Sequence, residues 1–422
     1  MYLNCHSFHS LRYGTIPLNE LIQQAVICGA KTMALTDINT VTGIYDFIKG
    51  CKEVNIKPLV GIEFRCNHKL RYIGLAQNAN GLAEMNRFLT KHNFENSLLP
   101  LVAPVFKDVC IIYPFENLPK VLKEYEYVGI CTEQLPKLFL PEWRTRLDKM
   151  VVLQPITFRT KREFNLHKIL RAIDTNVILS RLTEADYCKT TELMIPLEEL
   201  RTQFEEYPKI IQNTEKIIDG CNFEFEFQTP RNKKYYSGSR ESDMQLLTDL
   251  AQEGLVKKYG NDNPQAKARI EKELKVIDQL EFSGYFLITW DIIQYSISQG
   301  FLHVGRGSGA NSIVSYCLGI TAICPIELDL YFERFLNVNR KSPPDFDIDW
   351  SWKERDTILQ YIFDKYGADH VAFCGTNVEF KYRSIFREVG KVFGLPKEEL
   401  DLLAKNPIQL HDKNPIVKLV QE

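Results

Sequence analysis

The sequence predicts an α/β protein of more than one domain, and three observations carry that reading. From residue 1 to about 225, short apolar runs alternate with stretches of helical periodicity. A polar stretch containing Pro and Gly, from Gln228 to Arg240, interrupts the alternation. Beyond it a Gly-rich loop lies between a strand-like and a helix-like run, and about forty residues later aspartates occupy every second position. A chain of 422 residues is long enough for two or three domains. The polar stretch separates a first domain at 1–227 from the rest, with a linker at 228–241.

In the first domain, Leu18 to Cys28 reads as a helix with Leu21, Ile22, Ala25 and Val26 on one face. Thr32 to Asp37 reads as a buried strand, Ile44 to Val54 as a helix, and Pro58 to Phe64 as another strand. Repeating βα units of this kind form a parallel sheet or a barrel. After the linker, helices are expected from Ser242 to about Tyr259, from about Pro264 to Leu280, and through Asp291–Tyr295 toward Gly300. Leu246, Leu247, Leu250 and Leu255 form the apolar face of the first of these; Ile270, Leu274 and Ile277 form that of the second. Further helices are expected at about Lys353–Lys365 and at Tyr382–Phe393, the latter ended by Gly394-Leu395-Pro396.

The segment Ser342-Pro343-Pro344-Asp345-Phe346-Asp347-Ile348-Asp349-Trp350 carries the chemistry. As a strand it places Asp345, Asp347 and Asp349 on one side, with Phe346, Ile348 and Trp350 free to bury on the other. Carboxylates this close repel, and an oxygen-seeking cation such as Mg²⁺ relieves the repulsion. Two such ions about 3.5–4 Å apart make the clamp of in-line phosphoryl transfer. The same pattern also suits an acidic surface strand. The loop Gly305-Arg306-Gly307-Ser308-Gly309-Ala310-Asn311-Ser312 follows the strand-like Gly300–Val304 and precedes a helix entered at Ser312. Glycines can turn N–H groups toward an anion, and a helix start adds partial positive charge. The loop lacks the Gly-Lys-Ser/Thr of a P-loop, and neither the acidic residue nor the βαβ setting of a dinucleotide fingerprint accompanies it. A tight strand-to-helix turn is the alternative.

Composition is that of an ordinary globular protein, with 45% hydrophobic and 25% charged residues. A net charge of −2 differs from that of a general nucleic-acid binder, so contacts to DNA would come from local patches. One candidate is Lys381, Arg383, Arg387, Lys391 and Lys397, which equally suits a solvated helix face. The 11 scattered cysteines contain no C-x-x-C pair, which argues against a disulfide framework or a structural zinc site and fits a reducing cytoplasm. Residues Met1–His6 do not begin a signal peptide, and no apolar stretch approaches membrane-spanning length.

The run from Ser283-Gly284-Tyr285-Phe286 through Val304–Gly309 and Phe332-Glu333-Arg334-Phe335-Leu336-Asn337 to Pro344–Asp347 resembles the palm of the C family of bacterial replicative DNA polymerases. This is the family of the DNA polymerase III alpha subunit, and residues 1–227 resemble its PHP domain. The resemblance implies a distorted β/α barrel, then a nucleotidyltransferase-like palm, similar to that of polymerase beta, at 242–375 and the start of a thumb at 376–422. It implies that Asp345 and Asp347 are catalytic and hold two Mg²⁺ ions, and that Gly307 and Ser308 lie at the incoming triphosphate. Arg306, Arg334 and Arg340 are further phosphate contacts, although Arg334 also suits an ion pair with Glu333 or Asp329. Asn311, where the family more often has Gly, and Trp350, in place of Phe, depart from the pattern.

The implied activity is template-directed addition of deoxynucleotides from their triphosphates to a primer 3′-hydroxyl on primer-template DNA. The family's third catalytic Asp lies further downstream, so the chain is expected to be an N-terminal fragment, inactive by itself. Implied partners of the full-length protein are a sliding clamp, a clamp loader and a proofreading exonuclease, with no membrane. The alternatives are a PHP-type phosphoesterase or 3′-5′ exonuclease, and a scaffold without catalysis.

Active PHP domains bind a metal cluster through a His-rich ligand set. Here Asn4 stands at the first His, His6 keeps the second, Tyr13 replaces an Asp, Ile38 replaces the His after Thr36-Asp37, and Glu63 is kept. Arg71 aligns with a later His, and Pro155 and Thr157 with an Asp-x-His. His6 and Glu63 alone cannot hold a cluster. A PHP-like domain without metal is therefore expected, acting as a scaffold, and the resemblance implies a docking surface for the exonuclease.

Overall fold

The computed structural model describes all residues except 228, 230, 231, 341, 377 and 406–422. Gln228, Pro230 and Arg231 of the expected linker, and the end of the chain from Asp412, lie outside the described residues. The described residues form two compact units, 1–227 together with those after 375, and those of 228–375.

The first unit is built on eight strands: β1 (Tyr2–Cys5), β2 (Thr32–Leu35), β3 (Lys57–Cys66), β4 (Lys69–Ala76), β5 (Val109–Pro114), β6 (Glu126–Ile130), β7 (Met150–Val152) and β8 (Pro155–Ile156). Their order across the sheet is β7-β6-β5-β4-β3-β2-β1-β8. Neighbours run parallel except at β3–β4 and β4–β5. The β3–β4 hairpin turns at Asn67 and His68, with φ of 50° and 61°, the left-handed pair that a two-residue turn requires.

Helices α1 (Leu18–Ile27), α2 (Ile44–Glu53), α3 (Ala79–Phe94), α4 (Pro141–Arg144), α5 (Lys161–Thr175), α6 (Leu197–Gln203) and α7 (Pro208–Gly220) complete this unit up to residue 227. Alternate strand residues feed two cores. Cys5, Met33, Leu35, Val60 and Ile62 enter one, and Leu3, Ala34, Leu59 and Ile73 the other. This explains the near-continuous apolar strands, since both faces are covered. On α1, Leu18, Leu21, Ile22 and Ala25 are buried as their spacing predicts, whereas Val26 is 44% exposed.

The second unit packs α8 (Arg240–Tyr259), α9 (Pro264–Gln279), α10 (Ser283–Ser298) and the short α11 (Ile313–Cys317) around Leu247, Ile270, Ile277, Phe286 and Phe335. Helix α11 presses on α8 at Gly254, where a Cβ would stand 2.2 Å from the Cys317 carbonyl oxygen. Two strands, β9 (His303–Arg306) and β10 (Asp347–Trp350), pair antiparallel, and α12 (Arg355–Tyr366) follows. Strand pairing is shorter than the sequence suggests. Strand β9 ends at Arg306, the partner of Asp347, and Gly307 turns away with φ +72°, so β10 begins at Asp347 and Asp345 precedes it. After residue 375, α13 (Tyr382–Val392) packs on α5 of the first unit, and α14 (Lys397–Lys405) packs on α13.

Candidate functional site

The register of β9 against β10 builds the site in the second unit. Asp347 is paired with Arg306, Ile348 with Gly305, and Asp349 with Val304. The aspartates at 345, 347 and 349 are exposed, while Phe346, Ile348 and Trp350 are partly buried against the core. Phe346 lies edge-on to Phe286 at 5.1 Å and tilted to Phe335 at 5.3 Å, and the Trp350 indole N–H donates to the Ser296 hydroxyl at 2.8 Å. Apolar anchoring on one side thus fixes the outward direction of the carboxylates.

Each carboxylate has its own neighbour. Asp345 accepts from Arg340 at 3.3 Å, and Asp349 pairs with Arg306 at 2.7 Å. Asp347 lies against the Gly-rich loop, where a Cβ on Gly307 would stand 2.5 Å from its Oδ2. Gly307 has φ +72°, so the loop turns there through a conformation that side chains disfavour. Residues Gly307–Asn311 form a single 3-10 turn in which the Asn311 amide donates to the Ser308 carbonyl at 3.0 Å. Gly307 and Asp347 therefore meet at one place, with Ser308 next in the loop and Asp345 two residues before Asp347.

The helix start behind this loop is already filled. Glu273 of α9 accepts from the Ser312 hydroxyl at 2.7 Å and from the Val314 N–H at 3.3 Å, and Arg269 donates to its other oxygen at 3.1 Å. Arg269 also holds the carbonyls of Asn311 at 2.9 Å and Leu330 at 2.5 Å. Burial pushes the Glu273 carboxyl above its ordinary range, against hydrogen bonds from Ser312, Ile313, Arg269 and Val314. The anion expected at the start of α11 is thus a carboxylate of the protein itself, which leaves Gly307 and Ser308 as the open part of the loop. The sequence offers only a partial signal for Glu273, a carboxylate interrupting the apolar face Ile270–Leu274–Ile277 four residues after an arginine, and none for its partners Ser312 and Val314.

The arginines divide. Arg306 is exposed beside Asp349, and Arg334 is exposed while its neighbour Glu333 pairs with Lys272 at 2.5 Å. Arg340 closes its own loop, donating to the carbonyls of Phe335 at 2.6 Å and Pro343 at 3.1 Å. Of the basic patch after residue 380, Lys381, Arg387 and Lys391 pair with Glu379, Asp401 and Glu388, as on a solvated helix face.

In the first unit the residues at the PHP ligand positions also come together. Glu63 Oε2 accepts from Asn4 at 2.9 Å and faces His6 Nε2 at 2.8 Å; Arg65 Nε donates to Oε1. His6 Nδ1 lies 3.0 Å from the Thr157 hydroxyl, which donates to Glu192 at 2.6 Å. Burial by itself would raise the Glu63 carboxyl, but Arg65 and His6 outweigh it and bring it down to about 2. The arginine in this cluster is Arg65 rather than the expected Arg71: two residues after Glu63 on β3, it lies on the same face of the strand. A guanidinium on the Glu63 carboxylate disfavours a cation there, so these residues do not suit a metal cluster. Asp37 is engaged as well, accepting from the Ser7 N–H at 2.7 Å, the Ser7 hydroxyl at 2.7 Å and the Ser10 hydroxyl at 2.6 Å.

Comparison with known proteins matches both units. Residues 245–421 match the family described as the bacterial DNA polymerase III alpha NTPase domain, and residues 3–129 match the PHP domain. An error-prone DNA polymerase of Symbiobacterium thermophilum is 29% identical over 96% of this chain and 42% of its own length. The DNA polymerase III subunit alpha of Bacillus subtilis is 29% identical over 96% of this chain and 39% of its own length. That of Streptococcus pyogenes serotype M18 is 30% identical over 96% and 38%. The chain thus spans about 40% of the length of the relatives it matches. With a PHP domain followed by the alpha NTPase domain, it belongs to the family of bacterial DNA polymerase III alpha subunits.

Proposed function

We propose that residues 242–375 are the N-terminal part of a polymerase palm, serving template-directed addition of deoxynucleotides to a primer 3′-hydroxyl in the full-length protein. The observation that carries this is the juxtaposition of Gly307 and Asp347 across β9 and β10. Asp345 and Asp347 offer exposed hard oxygen donors on one side of the segment, a donor set that suits Mg²⁺. When bound, two such ions supply charge neutralisation at the attacking and leaving oxygens. The protein's own groups bind and orient. The backbone at Gly307 and Ser308 receives the triphosphate, Arg306 and Arg334 offer exposed cations to its phosphates, and Arg340 holds the Asp345 loop in place.

The PHP-like unit, 1–227, serves in this reading as a metal-free scaffold, with Arg65 seated on Glu63. In the full-length protein it works with primer-template DNA, a sliding clamp, a clamp loader and a separate proofreading exonuclease, in the cytoplasm. Among the described residues no helix is long and apolar enough to cross a membrane. The 422 residues by themselves are not expected to extend a primer. Residues 376–422 begin the thumb.

The test is primer extension by the full-length parent, comparing wild type with Asp347→Asn and Asp349→Asn. Loss of extension in the first with retention in the second supports the assignment. Equal activity of wild type and Asp347→Asn sinks it.

A further inference from the structure

Beside the Glu63 cluster lies a cavity of about 340 Å³, with two guanidinium groups in its wall. Its charged and polar lining includes Tyr13, Arg65, Asn67, His68, Arg171 and Asp174. Both arginines lie over the Tyr13 ring, Arg65 at 4.1 Å and Arg171 at 5.5 Å from its centroid. Their aim is fixed from behind. Arg65 holds Glu63 through Nε and donates to the Tyr13 hydroxyl at 3.0 Å. Arg171 donates to the Asp186 carbonyl at 2.8 Å, to Asp174 at 2.7 Å, and to His68 Nδ1 at 3.0 Å.

Two like charges held against one ring repel, and burial strengthens the repulsion. Glu63 offsets Arg65 but lies wholly buried beneath it, so it does not face the cavity. Asp174, 22% exposed, is the one carboxylate among the lining residues, and it is divided between Arg171 and Arg12. Guanidinium forks keep donors beyond those already engaged, and their planar geometry matches phosphate oxygens. Asn67 and His68, of the β3–β4 turn, are also in the lining, and the His68 side chain is 57% exposed.

We propose that this cavity binds a phosphate group, either as the free ion or as the end of a small phosphate monoester such as a mononucleotide, without cleaving it. Fixed arginine charge stands here where the active members of the PHP group hold metal ions. The inference rests on the reading that this unit carries no metal cluster.

The test is calorimetric titration of the 422-residue chain with inorganic phosphate and with a deoxynucleoside 5′-monophosphate, with metal content measured on the same sample. Saturable binding with one site is expected. Arg65→Lys keeps a charge on Glu63 but loses the fork, and His68→Glu adds a carboxylate at an exposed lining position. Each is expected to weaken binding about tenfold or more. Tighter binding of the nucleotide identifies an ester as ligand, and equal binding identifies the free ion. Absence of saturation up to about 10 mM for both probes, or unchanged affinity in both folded variants, overturns the inference alone. Two or three tightly bound metal ions in the sample overturn it together with the metal-free reading.

Discussion

Gly307 and Asp347 share one space: the atom that a side chain on Gly307 would begin with falls 2.5 Å from Oδ2 of Asp347. The Gly-rich loop and the carboxylate strand, forty positions apart in sequence, are therefore one structure. Gly307→Ala must displace the carboxylate as well as strain a backbone at φ +72°. We expect destabilisation of about 1–2 kcal/mol and at least a hundredfold loss of primer extension in the full-length parent. Gly319→Ala is the control, since Gly319 has φ +77° but nothing within 4 Å of its would-be Cβ. It should destabilise similarly and retain extension. Equal loss in both variants would show that backbone strain alone matters.

Glu63 gives a pH signature. Its folded pKa of about 2 lies below the ordinary 4.5, so its stabilisation is complete above 4.5 and is lost as pH falls toward 2. Replacing Arg65 by Met leaves a buried carboxylate without its cation and should destabilise the chain by about 3–5 kcal/mol. With that cation gone, burial is opposed only by His6 and Asn4, so the folded pKa of Glu63 should rise from about 2, and the gain in stability between pH 2 and 4.5 should shrink. Urea unfolding at several pH values reads both; a variant with the wild-type slope would refute the pairing.

His167 is kept neutral by burial. Burial depresses it to about 4, and its Nε2 accepts the Cys188 N–H at 2.9 Å while Nδ1 donates to the Tyr13 carbonyl at 2.6 Å. Stability from this group is complete above the ordinary 6.5 and is lost as pH falls toward 4, by about 3 kcal/mol in all. His167→Gln should flatten the fall in thermal stability between pH 6.5 and 4. A fall as steep as that of wild type would rule out the assignment.

Asp291 anchors the helix that follows the carboxylate strand. It accepts from the hydroxyls of Tyr236 at 3.1 Å, Tyr361 at 2.9 Å and Tyr366 at 2.9 Å, and from the Lys365 ammonium. Tyr361 also stacks on Tyr295 at 3.8 Å. Asp291→Ala should destabilise by about 3–5 kcal/mol, because it leaves a charged lysine and three hydroxyls without their acceptor. Tyr361→Phe keeps the stack and should lose only about 1 kcal/mol. Chemical denaturation with a probe of the second unit checks the ratio; equal losses would mean that the ring, not the carboxylate, does the anchoring.

The sequence by itself determined the elements whose signal is local. Helical spacing marked α1, α2, α8, α9, α12 and α13 to within a few residues, and alternation at 345–350 separated exposed aspartates from packed aromatics. These are legible because one buried face imposes its period on the chain. Tertiary structure alone decided what fills each polar position. That Glu63 would be buried with Asn4 of β1 and His6 just after it was decided by the packing of β1 near β3. The start of α11 went to Glu273, whose carboxylate arrives from another helix. Partners brought together over 39 residues, as Ser312 and Glu273 are, leave no periodic trace, because a hydrogen bond needs one donor and one acceptor in place and no repeating face.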